Sequence, residues 1–64
     1  MYDFASGCCC YALELYWLEE EDKWQLICYP SGSASSCIYE KSGADMGRLN
    51  YVSGPCDGVD FATI

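Results

Sequence analysis

No histidine occurs in this chain. That removes the side chain best suited to proton transfer near neutral pH and the commonest nitrogen ligand for zinc. Basic residues are scarce too: three lysines and arginines stand against ten aspartates and glutamates, for a formal net charge of −7. So few cations cannot neutralise a phosphate backbone, which excludes ordinary direct binding to nucleic acid and argues against an anionic membrane surface. No apolar run approaches the roughly 20 residues of a membrane-spanning helix. The first residues, MYDFASG, offer neither the basic region nor the apolar stretch of a secretory signal. The expectation from these features is a cytoplasmic protein, working in its own cell or, for a phage protein, in that of a host. Phosphate-loop chemistry is missing as well, because Ser6-Gly7 and the loop Pro30 to Ser36 (PSGSASS) lack Walker-type spacing and its lysine.

What the chain does contain is apolar and aromatic surface. Its 64 residues are 52% hydrophobic and 16% aromatic, with six tyrosines and two tryptophans. This length holds one domain, 1–64, and a domain of this size buries only about 60% of its unfolded surface. The chain is too oily to be disordered. Some of its aromatics must stay exposed, and exposed aromatics with polar tips are common in binding surfaces. The charge fits a basic partner; the bland alternative is that it only keeps an oily mini-protein soluble.

The stretch Tyr11 to Tyr29, YALELYWLEEEDKWQLICY, organises the rest. With Glu19-Glu20-Glu21-Asp22 as a four-residue loop, Leu18 faces Lys23 next to it; on one face Trp17 then faces Trp24, Leu15 faces Leu26 and Leu13 faces Cys28. The opposite face pairs Tyr16 with Gln25, Glu14 with Ile27 and Ala12 with Tyr29. Successive strand residues point to opposite faces, so this register predicts one oily and one mixed face. The alternative is a helix near 9–22, which would make the fold α+β; Ala12 to Leu15 and Leu18 to Glu21 are fair helix formers. On a helical wheel, however, the aromatics and glutamates scatter instead of forming a stripe, and the alternation favours strands.

Further short strands are predicted at Tyr2 to Ala5, Cys37 to Lys41 (CIYEK), Arg48 to Val52 (RLNYV) and Val59 to Ile64 (VDFATI). Loops are predicted at Pro30–Ser36, Ser42–Gly47 and Ser53–Gly58. The fold class is therefore mainly β: a small antiparallel sheet or partly open barrel of about five short strands, built on the central hairpin.

Six cysteines, Cys8, Cys9, Cys10, Cys28, Cys37 and Cys56, invite a disulfide framework. The cytoplasmic reading favours free, mostly buried thiols instead, with disulfides second and metal last. Zinc ligands normally come as C-x₂₋₄-C pairs, and none is present. If the serine-rich loop closes a hairpin, Cys28 lies opposite Cys37. No cofactor and no bound metal are expected.

Catalysis finds little support: no histidine can activate a cysteine nucleophile, and nothing shows that Glu14 and Glu40 converge. The expectation is a binding protein, not an enzyme. Its most distinctive feature is the acidic run at the hairpin tip, where Asn-Gly or Asp-Gly is more usual. A charge run at a turn is often only a solvated loop. It can also enter a basic groove, and acids spaced along a sheet can imitate the field of duplex DNA. Tiny acidic proteins that block nucleic-acid-binding machines, such as phage anti-CRISPR or anti-restriction inhibitors, share this composition. The leading expectation is an inhibitor that mimics DNA in the basic groove of a larger protein. Glu19, Glu20, Glu21, Asp22 and Glu14 supply the charge, and Tyr16 and Tyr29 the short-range contacts. The alternatives are a structural subunit or homodimer assembling through an aromatic face, and a cysteine-based metal or redox module.

Overall fold

The computed structural model describes residues 3–5, 10–32, 34–55 and 61–64. The described residues form six strands and no helix: β1 (Asp3–Ala5), β2 (Cys10–Leu18), β3 (Lys23–Pro30), β4 (Cys37–Ser42), β5 (Arg48–Ser53) and β6 (Phe61–Thr63). They build one antiparallel sheet in the order β1-β6-β5-β4-β3-β2. The short connections between β2, β3, β4 and β5 make each pair neighbours, as hairpin-linked strands usually are. Readings that concern Tyr2, Cys8, Cys9 and residues 56–60 lie outside the described residues.

The β2–β3 register is the one the alternation predicts. Leu18 pairs with Lys23, Trp17 with Trp24, Tyr16 with Gln25, Leu15 with Leu26, Glu14 with Ile27, Leu13 with Cys28 and Ala12 with Tyr29. Cys28 also pairs with Cys37 across β3–β4. Beyond Ala12 the ladder shifts by a bulge, and Cys10 comes opposite Pro30.

The sheet is curled. β1 and β4 are separated by β6 and β5, so in a flat sheet they would stand about 14 Å apart at the usual strand spacing. Yet the rings of Phe4 and Tyr39 meet edge to face at 5.5 Å between centroids. Tyr39, fully buried, is the largest side chain in a core completed by Leu26, Cys28, Cys37, Leu49 and Ala62. Tyr51 packs on its other side at 5.4 Å. Two reciprocal backbone bonds between Gly47 and Ile64 extend the β5–β6 ladder and help hold the curl closed.

Three expectations are corrected. Pro30 is not loop: it ends β3 and is buried, in a position where its missing N–H removes no bond from the strand interior. The tryptophans do meet, with centroids 5.1 Å apart, but both are only half-buried. They sit beside the turn that closes the hairpin and keep part of their surface in solvent, so truncating either costs less than the roughly 3–5 kcal/mol of a fully buried tryptophan. Leu13, on the oily face, is 40% exposed because β2 is the last strand of the sheet.

The thiol expectation is corrected too. Cys10 and Cys28 form a disulfide with Cα atoms 5.8 Å apart, and Cys37 is disulfide-bonded as well. Cys10 faces Pro30, which brings it diagonally beside Cys28 on the same face of β3. The bulge that creates this diagonal has no signature in the sequence.

Candidate functional site

The acidic tip is an ordered turn. The amide of Glu21 donates to the carbonyl of Leu18 at 3.1 Å and that of Asp22 to Glu19 at 3.4 Å. Asp22 closes the turn at φ 51°, a left-handed conformation that aspartate accepts more readily than most residues. Its carbonyl accepts from the amide of Gly43 at 2.8 Å, which ties the tip to the β4–β5 loop. All four acids are exposed. Between the turn and the end of β2, Trp17, Leu18, Glu19, Glu20 and Glu21 line an open cavity of about 380 Å³. An apolar wall faces carboxylates there, an arrangement that suits the stem and head of a basic side chain.

Lys23, the base nearest the tip, is turned aside. Its Nζ lies 3.0 Å from Glu40 and only 3.9 Å from Glu21. Glu40 also accepts from Gln25 Nε2 at 3.1 Å. The bonds from Lys23 first and Gln25 second hold the Glu40 carboxyl below its usual range, and the bond to Glu40 raises Lys23. Lys23 thus holds Glu40 closely and Glu21 loosely, and Glu19, Glu20 and Asp22 make no ion pair among the described residues.

A second group lies on the outer face of the hairpin. Glu14 accepts a hydrogen bond from the Tyr29 hydroxyl and is also bonded to Tyr16. These two bonds, Tyr29 first, hold its carboxyl low. The same bond pushes the Tyr29 phenol up to about 12, and Tyr16 is raised for the same reason. Tyr11 lies against Tyr29, with centroids 6.3 Å apart.

The expected site residues thus fall into two groups: Glu14, Tyr16 and Tyr29 come together on the outer face, and Glu19, Glu20, Glu21 and Asp22 form the tip. Sequence reasoning missed Tyr11, Trp17 and Leu18 as members. Strict alternation carries Tyr11 to the oily face with Leu13; the bulge before Ala12 redirects it. Among the described residues, no group of three or more cysteines, aspartates or glutamates is arranged to hold a metal ion. No helix among them is long and apolar enough to cross a membrane.

No protein-family model matches the chain, and no curated protein or solved structure is significantly similar to it.

Proposed function

We propose that this protein binds a larger protein by inserting its acidic hairpin tip into a basic groove that otherwise holds nucleic acid, and so inhibits it. The observation that carries the reading is the tip: four successive acids on a hydrogen-bonded turn, with the adjacent Lys23 engaged by Glu40. Acids held on an ordered turn lose less freedom on binding than a floppy charged loop would. Long-range attraction speeds the encounter, and the Glu14–Tyr16–Tyr29 group slows release through short-range contacts. In this reading the chain is a DNA mimic of the anti-CRISPR or anti-restriction kind, a viral protein without catalytic activity. It works in the cytoplasm, its own or a host's.

The test is capture from lysate on the immobilised protein, followed by elution with duplex DNA or RNA. Nucleic-acid-binding proteins released by nucleic acid, with retention falling steeply as salt rises, fit the reading. The variant Glu19→Gln, Glu20→Gln, Glu21→Gln, Asp22→Asn should lose that retention while remaining folded. Equal retention by this variant at low salt overturns the reading. A salt-insensitive homodimer would favour assembly through the aromatic face instead.

A further inference from the structure

The two edges of the sheet are unequal. β1 offers three residues; β2 offers nine, Cys10–Leu18, an extended edge of about 30 Å. Alternate N–H and C=O groups of an edge strand face outward, a template on which another strand can pair. No described strand covers this edge, and its side chains are unusually apolar for that: Tyr11 is 72% exposed, Leu13 40% and Tyr16 42%. They stand on both faces of the strand, so one added strand would contact both sets.

We propose that β2 receives an extended, basic segment of the partner protein as a seventh strand. The sign of the charge selects this occupant. Glu14 is the midpoint of β2, and the acidic tip lies at the strand's end. A second copy of this chain pairing two-fold in the fullest register would set Glu14 against Glu14, between two molecules each of net charge −7. A charge in the middle of an edge thus discourages self-pairing yet leaves the edge open to lysine or arginine. A segment that follows β2 reaches the cavity beside Trp17 and Glu19 to Glu21, where it can seat a basic side chain. Backbone pairing supplies affinity, and the alternate side chains supply selectivity.

The charge of the occupant rests on the function proposed above; the availability of the edge does not. The probe is a nine-residue end-blocked peptide of alternating lysine and valine. Its control is the same peptide with every backbone nitrogen methylated, which keeps the charge and side chains but leaves no N–H donor on either side of the strand. With the intact protein, the alternating peptide should bind at least about tenfold more tightly than the control, the effect of a few lost backbone bonds. Amide exchange should slow at alternate residues of β2. Neighbouring strand residues aim their N–H groups to opposite sides, so one of Ala12→Pro and Leu13→Pro spares the β3 ladder. That variant should fold and lose peptide binding about tenfold. Equal binding of the two peptides, protection elsewhere than on β2, or self-association through β2 in light scattering would overturn the inference. If protection appears on β2 but neutralising the tip leaves peptide affinity unchanged, the edge stands and the acidic-tip reading fails. If the tip variant loses binding while both peptides bind alike, the reverse holds.

Discussion

Tyr39 and the trio Tyr11, Tyr16 and Tyr29 are the same amino acid on neighbouring strands, yet they end in opposite states. Tyr39 lies on β4, inside the curl, with Phe4 on one side and Tyr51 on the other, and has no exposed surface. Tyr11 and Tyr16 lie on the edge strand and keep 72% and 42% of theirs. The phenols of Tyr16 and Tyr29 are turned to a carboxylate that also faces water. The strand and, for Tyr29 on the interior strand β3, the face of the sheet decide which tyrosine builds the core and which builds the surface, not side-chain type. The inner face of the central strands builds the core, and the edge strand and the outer face of the hairpin keep aromatic surface exposed.

The largest break in that contrast is Tyr39→Ala. It should cost about 3–5 kcal/mol, as for other buried aromatics, and unfold a domain whose core supplies little more. Tyr16→Ala should cost less than about 1 kcal/mol. Urea unfolding followed by far-UV circular dichroism separates the two, and similar costs would erase the distinction.

Next in size is the staple between the two regions. Cys10 and Cys28 are 18 residues apart, and closing a loop of that order stabilises by about 3 kcal/mol in the chain-entropy account. Cys10→Ser should lower the unfolding midpoint accordingly and steepen the slope against urea, because the released unfolded chain exposes more surface. A smaller effect arises at Gly54, at φ 144°, where an added Cβ would come 2.6 Å from Cys37 Cα. Gly54→Ala should cost about 2–3 kcal/mol through backbone strain and overpacking, visible as a lower Tm.

The exposed region responds to pH. The Glu14 and Glu40 carboxyls are held below their ordinary value of 4.5, so their contribution is present above about that pH and lost as acid takes them through the lowered folded values. At the other end, Tyr29 is raised to about 12 from 10.0, so its contribution is complete below pH 10 and lost as pH rises through 12. Glu14→Gln should bring the Tyr29 phenol back toward 10, read by its NMR shifts or phenolate absorbance. An unmoved Tyr29 would mean that Glu14 is not its partner. The smallest stability effect belongs to the tip: neutralising all four acids should change unfolding free energy by no more than about 0.5 kcal/mol, because exposed charges contribute little to folding. A larger loss would make the tip structural.

Much of the fold was legible from period-2 alternation. Leu13, Leu15 and Trp17 opposite Cys28, Leu26 and Trp24 admit one register, because a one-residue slip turns every apolar side chain to the wrong face. The acidic run and its place at a turn were equally plain, and Glu14, Tyr16 and Tyr29 share a face by the same alternation. Tyr11 was not legible, because a bulge is a backbone event with no residue signature here. Nor was the Cys10–Cys28 bond, which depends on that bulge, or Pro30 as strand.

The mainly β character, the register of the central hairpin and the charge at its tip are all carried by the sequence. All three follow from local composition and side-chain alternation. Long-range packing set the rest: the sheet curls around Tyr39, β2 is its long edge, and Lys23 holds Glu40 more closely than Glu21 of the tip. These depend on strand order and on contacts between residues far apart in the chain, which no local pattern encodes.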